Sequence, residues 1–321
     1  MTMTKKLSNK LILGADAGGT NIKTVLVNSR GKVFAAMKRP TLARRGRDAV
    51  IERLVLTLRD TVKKSGVTMR DVAGAGIGFA GPLDAGTGIV FNPPNLPGWS
   101  NVPLRDILKQ RLKMPVALDN DANLVAMGEY WKGAGRGAKC LICLTLGTGV
   151  GGGIILGGRV WHGASGIAGE IGHMTVVRNG RRCACGNKGC LEAYASSNGM
   201  VLRMQELLKT GNVRRHDKVT PKNIERWALS GDKLATKAIK DTGVILGVAI
   251  ASIANMLNPD VVVIGGGVSK IGDPLFDPIR EEVEKRAFTQ AVEGLKIVKA
   301  ELGDNAGAIG AAKALMLSLN A

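Results

Sequence analysis

An apolar strand that breaks into a glycine turn and leaves it as a second strand occurs twice in this chain of 321 residues. The first copy is "KLILGADAGGT", continued by "NIKTVLVNSRGKVFAAMKR"; the second is "AKCLICLTLGTGVGGGIILGGRVW". As a repeat it is weak, yet it constrains the fold, because it implies two related halves with a ligand between them. "NIKTVLVNSRGKVFAAMKR" alternates as two strands joined at "NSRG", so the chain opens on a β-meander. "GRDAVIERLVLTLRDTVKKSG" has helical periodicity and closes on Gly66, and "VAGAGIGFAGPLD" reads as a strand ending in a turn. "MPVALDNDAN" is a short buried strand that passes directly into the helix "ANLVAMGEYWKG", and "VVVIGGG" (Val261–Gly267) is a further buried strand ending in glycines. A domain boundary is expected near residue 122, where the first module has closed.

Composition narrows the partners. The 44 glycines, without a period, point to tight turns and close backbone approaches rather than to a fibre. Lys and Arg number 45 against 26 Asp and Glu, a net charge of +19. The basic residues are scattered, with no aromatic-interleaved stripe, so no nucleic-acid partner is expected. "LILG" is too short for a signal core, and the apolar run Val244–Leu257 is short for a membrane span. A cytoplasmic protein with reduced thiols, and no membrane association, is the expectation.

Several motifs carry chemistry beside a plainer reading. "DAGGTN" (Asp16–Asn21) is an ordinary hairpin turn or a glycine cradle that aims backbone N–H groups at an anion; it is neither a Walker loop nor a dinucleotide fingerprint. "LGTGVGGG" (Leu146–Gly153) and "GGG" (265–267) add two more such turns, and together they favour a phosphate-handling protein. "DNDAN" (Asp119–Asn123) sits where a strand becomes a helix; capping accounts for one of its residues. An Asp there, facing a phosphate site, is placed to take a proton from an attacking hydroxyl. "GASGIAGEIGH" (Gly163–His173) is a surface turn or a site loop carrying Glu170 and His173. Cys183, Cys185 and Cys190, with His173, make a Cys3His zinc set, and in a cytosolic protein clustered cysteines favour metal over disulfide. Cys140 and Cys143 face opposite sides of a strand and are excluded as fillers.

Laid in order, "DAGGTN", "NDAN", "LGTGVGGG", "GEIGH" and "CACGNKGCLE" resemble the ROK family (repressor, open reading frame, kinase), and within it the bacterial glucokinase-type sugar kinases. "GIGFAGPLD" and "NPPNLPGWSNVPL" also resemble family segments, and the resemblance runs from Leu11 to the closing "GDNAGAIGAAKAL". It implies an α/β, actin-like or hexokinase-type fold with a ribonuclease H-like motif and a deep interdomain cleft. The small N-terminal domain would be residues 1–122, completed by a C-terminal helix at about 306–321. Residues 123–305 would form the large domain with the zinc-binding loop.

The resemblance further implies transfer of the ATP γ-phosphate to the 6-hydroxyl of a hexose, glucose by preference, with Asp121 as general base. Asn120, Glu170, His173, Glu192 and Asn95 would contact the sugar. Asp16 would lie near Mg2+; Gly18, Gly19, Thr20, Lys23 and the Gly147–Thr148–Gly149 turn near the phosphates; and Gly265, Gly266 and Gly267 near the adenosine. His173, Cys183, Cys185 and Cys190 match the family's structural zinc set, a clamp in which His173 gives one ring nitrogen to the metal and the other to the sugar. A homodimer, in some members a tetramer, is the family's habit. The resemblance leaves three alternatives: polyphosphate as donor, another hexose such as mannose, fructose, allose, N-acetylglucosamine or N-acetylmannosamine, and a sugar-responsive repressor. About ten residues before the first strand are expected to be too few for the repressors' DNA-binding domain.

Overall fold

The meander forms as expected: β1 (Leu11–Ala17), β2 (Asn21–Val27) and β3 (Val33–Pro40) pair antiparallel in that order. The computed structural model describes residues 10–93 and 96–320. Helix α1 (Arg47–Lys64) leads to β4 (Val72–Phe79). A short hairpin of β5 (Leu83–Asp84) and β6 (Ile89–Val90) follows, then α2 (Leu104–Leu112), β7 (Val116–Asn120) and α3 (Asp121–Lys132). The second half opens on β8 (Cys140–Leu146), β9 (Val150–Leu156) and β10 (Arg159–Val160). After an irregular stretch come α4 (Glu192–Ala195), α5 (Ser197–Thr210), α6 (Pro221–Leu229) and α7 (Lys233–Leu257). β11 (Val261–Gly265), α8 (Asp273–Arg286), α9 (Thr289–Val292), β12 (Lys296–Lys299) and α10 (Ala306–Leu319) complete the chain.

The two halves are the same design. One sheet has the order β3-β2-β1-β4-β7 and the other β10-β9-β8-β11-β12; in each, the first three strands are antiparallel and the last two join in parallel. Strand side chains alternate between faces, and in β1 both faces are covered: Leu13 and Ala15 pack with Val50 and Leu54 of α1, while Ile12 packs with Ala308 and Ala312 of α10. Coverage on both faces is why such strands read as unbroken apolar runs.

Helices α3 and α10 lie between the sheets, and glycine sets how close they come. A Cβ on Gly310 would stand 1.7 Å from the Leu124 carbonyl oxygen, and one on Gly128 2.2 Å from that of Ala306. On the sheet side, a Cβ on Gly76 would stand 1.7 Å from the Ala311 oxygen. α3 in turn buries Leu124 and Met127 with Leu141 and Ile155 of the second sheet. This helix pair therefore joins the halves through backbone contact. Helix α7, which holds the apolar run Val244–Leu257, is long and apolar enough by composition to cross a bilayer, and 56% of its most apolar window is buried inside the protein.

Candidate active site and metal cluster

The acidic and glycine-rich motifs fall at the carboxyl ends of strands, where open α/β sheets form their crevices. Asp16 is near the end of β1, Asn120 and Asp121 follow β7, Gly147–Gly149 follow β8, and Gly265–Gly267 follow β11. Two cavities form among them. The first, of about 570 Å3, is lined by Asn120, Asp121, Gly147, Gly149, Glu170, His173 and Glu192, with Gly81 and Pro82 beyond β4. The second, of about 370 Å3, is lined by Asp16, Lys23, Gly265–Gly267, Lys270, Lys299 and Asp304. Thr145 and Gly266 line both, so the two cavities meet at the ends of β8 and β11.

The strand-to-helix junction explains the "DNDAN" cluster. Asn120 is the N-cap of α3: its side-chain oxygen accepts from the amides of Ala122 (2.8 Å) and Asn123 (3.4 Å), and its amide nitrogen reaches the Gly81 oxygen at 3.4 Å. Asp121 is the first helical residue and its Oδ1 accepts from the Ala122 amide at 2.9 Å. Burial first, then the nearby Asp16 carboxylate, pushes the Asp121 carboxyl up to about 7 from its ordinary 3.8. A carboxyl poised there is suited to accept a proton at neutral pH. Asp16 is also raised, chiefly by burial, and its pairing with Lys23 is loose, at 3.9 Å.

Across the first cavity, residues 161–191 contribute Glu170, His173 and the cysteines. His173 Nε2 lies 4.0 Å from Glu170 Oε2, while its Nδ1 faces the Cys183 sulfur at 3.7 Å. The Cys185 and Cys190 sulfurs are 3.7 Å apart, and all four ligand atoms lie within 4.8 Å of one another. A disulfide needs about 2.05 Å, whereas two sulfurs on one tetrahedral zinc stand about 3.8 Å apart. The donor set therefore fits zinc. Gly189, at φ +79°, takes the left-handed turn that brings Cys190 back; a Cβ there would strike the Val177 oxygen at 1.8 Å. Glu192 connects this cluster to the glycine turn, since its Oε2 accepts from the Val150 amide at 3.0 Å while Oε1 lies 3.7 Å from the Cys183 sulfur.

Most expected residues thus converge, and some do not. Gly18, Gly19 and Thr20 line neither cavity. They form the β1–β2 hairpin, where the Gly18 and Thr20 carbonyls accept from Thr41. Thr148 sits at the exposed tip of its turn, off both cavity walls. Asn95 lies outside the described residues. Lys270, Lys299 and Asp304 are not singled out by the sequence: Lys270 lies in the short turn after the Gly265–Gly267 run, Lys299 ends β12, and Asp304 lies within the closing "GDNAGAIGAAKAL" but carries no spacing that marks it. Asp119 is held by His162, Nε2 to Oδ2 at 2.8 Å, a pair 43 positions apart that sequence spacing does not reveal.

Residues 12–317 match the ROK family. A glucokinase of Halalkalibacterium halodurans is 38% identical over 95% of this chain and 94% of its own length. A xylose repressor of Caldicellulosiruptor bescii is 34% identical over 93% of this chain and 76% of its own length. The crystal structure of a ROK family glucokinase from Streptomyces griseus in complex with glucose and AMPPNP superposes with a TM-score of 0.79, at 34% identity, covering 94% of this chain and 98% of that one.

Proposed function

The chain belongs to the ROK family, and from that premise we propose that it is an ATP-dependent hexose kinase with glucose as its acceptor. What carries this reading is the meeting of two unlike cavities at Thr145 and Gly266. The larger holds hydroxyl-reading groups around a buried carboxyl; the smaller holds lysines and a glycine turn suited to a triphosphate. One similar protein, the Streptomyces griseus glucokinase, holds glucose and AMPPNP together.

In this reading Asn120, Glu170, His173 and Glu192 orient the hexose with its 6-hydroxyl at Asp121, which takes the proton as the oxygen attacks the γ-phosphorus. Lys23, Lys270 and Lys299 balance charge on the donor, and positioning supplies most of the rate. Asp16, a half-buried carboxylate only loosely paired with Lys23, is the residue that would hold Mg2+, whose chemistry is to neutralise the phosphate oxygens. His173 and the three cysteines would hold a structural zinc, which would fix the wall that carries His173 and Glu192. Residues 1–122 with the helix at 306–321 form one lobe and residues 123–305 the other, and their closure excludes water.

A hexose panel with MgATP tests the assignment. Glucose is expected to give the highest kcat/KM, and no turnover with any hexose refutes the kinase reading. The three lysines of the donor cavity favour one second reading, an inorganic polyphosphate donor; offering ATP and polyphosphate in separate coupled assays decides between them.

A further inference from the structure

His162 lines neither of the two cavities, yet it bridges the two sheets beside them. It lies two residues past β10, an edge strand of the second sheet, and its partner Asp119 is on β7, an edge strand of the first. Asp119 is only 7% exposed. Its Oδ1 accepts from the Asn120 amide at 2.7 Å and from the Asn123 side chain at 3.1 Å, and its Oδ2 meets His162 Nε2 at 2.8 Å. A carboxylate only accepts, so Nε2–H is the donor.

On the other side, the His162 carbonyl accepts from the Ala168 amide at 3.0 Å and closes residues 162–168 into a loop. Gly163, Gly166 and Gly169 of this stretch all take positive φ, so its course is set by glycine turns with few side chains to hold it. Glu170 follows at once. The loop faces Asn120 and Asn123 across a cavity of about 30 Å3 that Glu170 also lines. The Asn123 side-chain oxygen there is buried without a protein partner.

We propose that His162 is a positioning residue: bonded to Asp119 across the sheet edges, it seats the 163–170 loop, and with it Glu170, against the strand end that carries Asn120 and Asp121. A single carboxylate thereby sets both walls of the acceptor pocket. It holds the peptide of Asn120 on one side and the root of the Glu170 loop on the other. The charged groups that face the ring are Asp119 and, farther off, Asp84, and both hold its proton above the ordinary histidine range. The identity of the ligand rests on the hexose-kinase reading; the bond and its effect on the loop do not.

The test is His162→Ala beside His162→Gln, whose amide nitrogen reproduces the Nε2 donor. His162→Ala is expected to raise the KM for hexose about 10- to 100-fold, with kcat within about threefold and the KM for ATP unchanged. His162→Gln is expected to recover most of the loss. An unchanged hexose KM in His162→Ala overturns the proposal, and so does equal damage in both variants to kcat and to both KM values, which marks a structural strut only. An activity-free readout covers a variant that does not fold and a chain that phosphorylates no hexose. The chain has three histidines, so ring NMR signals are few, and the His162 signal should titrate above the ordinary range and move down in Asp119→Asn. A His162 signal indifferent to Asp119→Asn overturns the proposal, whereas absence of turnover in the unmodified protein with that shift intact refutes only the kinase reading.

Discussion

At the first residue of α3, one carboxyl meets opposed demands. Burial suits Asp121 for proton transfer and destabilises the fold that holds it. Its folded-state value of about 7 lies above the ordinary 3.8, so the ionised form costs stability progressively between about pH 4 and pH 7 and by a constant amount above. The cost is at most about 4 kcal/mol. Asp121→Asn removes a titrating group, so thermal unfolding without nucleotide or Mg2+ should show a higher Tm than the parent at pH 8 and no gain at pH 4. The same variant should lose about 10²- to 10⁴-fold in kcat. In the parent, the base form appears as pH rises through about 7, so kcat/KM should climb across that range. Asp121 was legible because an Asp/Asn cluster at a strand-to-helix junction has more polar groups than one cap uses. His162 was not, because its meaning depends on a partner brought near only by the packing of two sheet edges.

Among the elements, the α3–α10 pair is the joint of the molecule, and Glu129 fixes its end. Fully buried, this carboxylate accepts from the amides of Ala134 (2.9 Å), Glu301 (3.1 Å) and Leu302 (2.9 Å), tying the end of α3 to the segment that enters α10. Glu129→Ala removes three hydrogen bonds made by a buried carboxylate and should cost at least about 3 kcal/mol in chemical denaturation. Loss under 1 kcal/mol would show that the joint does not depend on it. The zinc loop makes a parallel prediction. Cys190→Ser should lose bound zinc, measured by metal analysis, and weaken hexose binding in the same step, because Glu192 follows two residues later and touches both Cys183 and the 147–150 turn. Full hexose affinity in zinc-free protein contradicts the clamp. Strands and glycine turns were readable because apolar runs end abruptly in glycine. The packing of α10 on β4 and the α3–α10 crossing were not, since both are decided by backbone meeting backbone at Gly76, Gly128 and Gly310, where the sequence shows only small residues.

Taken whole, the molecule is one sheet design used twice, with strand carboxyl ends turned toward two adjoining cavities. The weak repeat in the sequence understated this, because the copies share topology and not residues. In the proposed reading, the acceptor hydroxyl and the donor phosphate would meet across Thr145 and Gly266, which line both cavities. The most direct test is the product itself: phosphorus and proton NMR of glucose incubated with MgATP and the protein. Formation of glucose 6-phosphate with one ADP per sugar, at a rate at least about 100-fold lower in Asp121→Asn, is the predicted result. Phosphate on another hydroxyl, no sugar phosphate at all, or undiminished product from Asp121→Asn would contradict it.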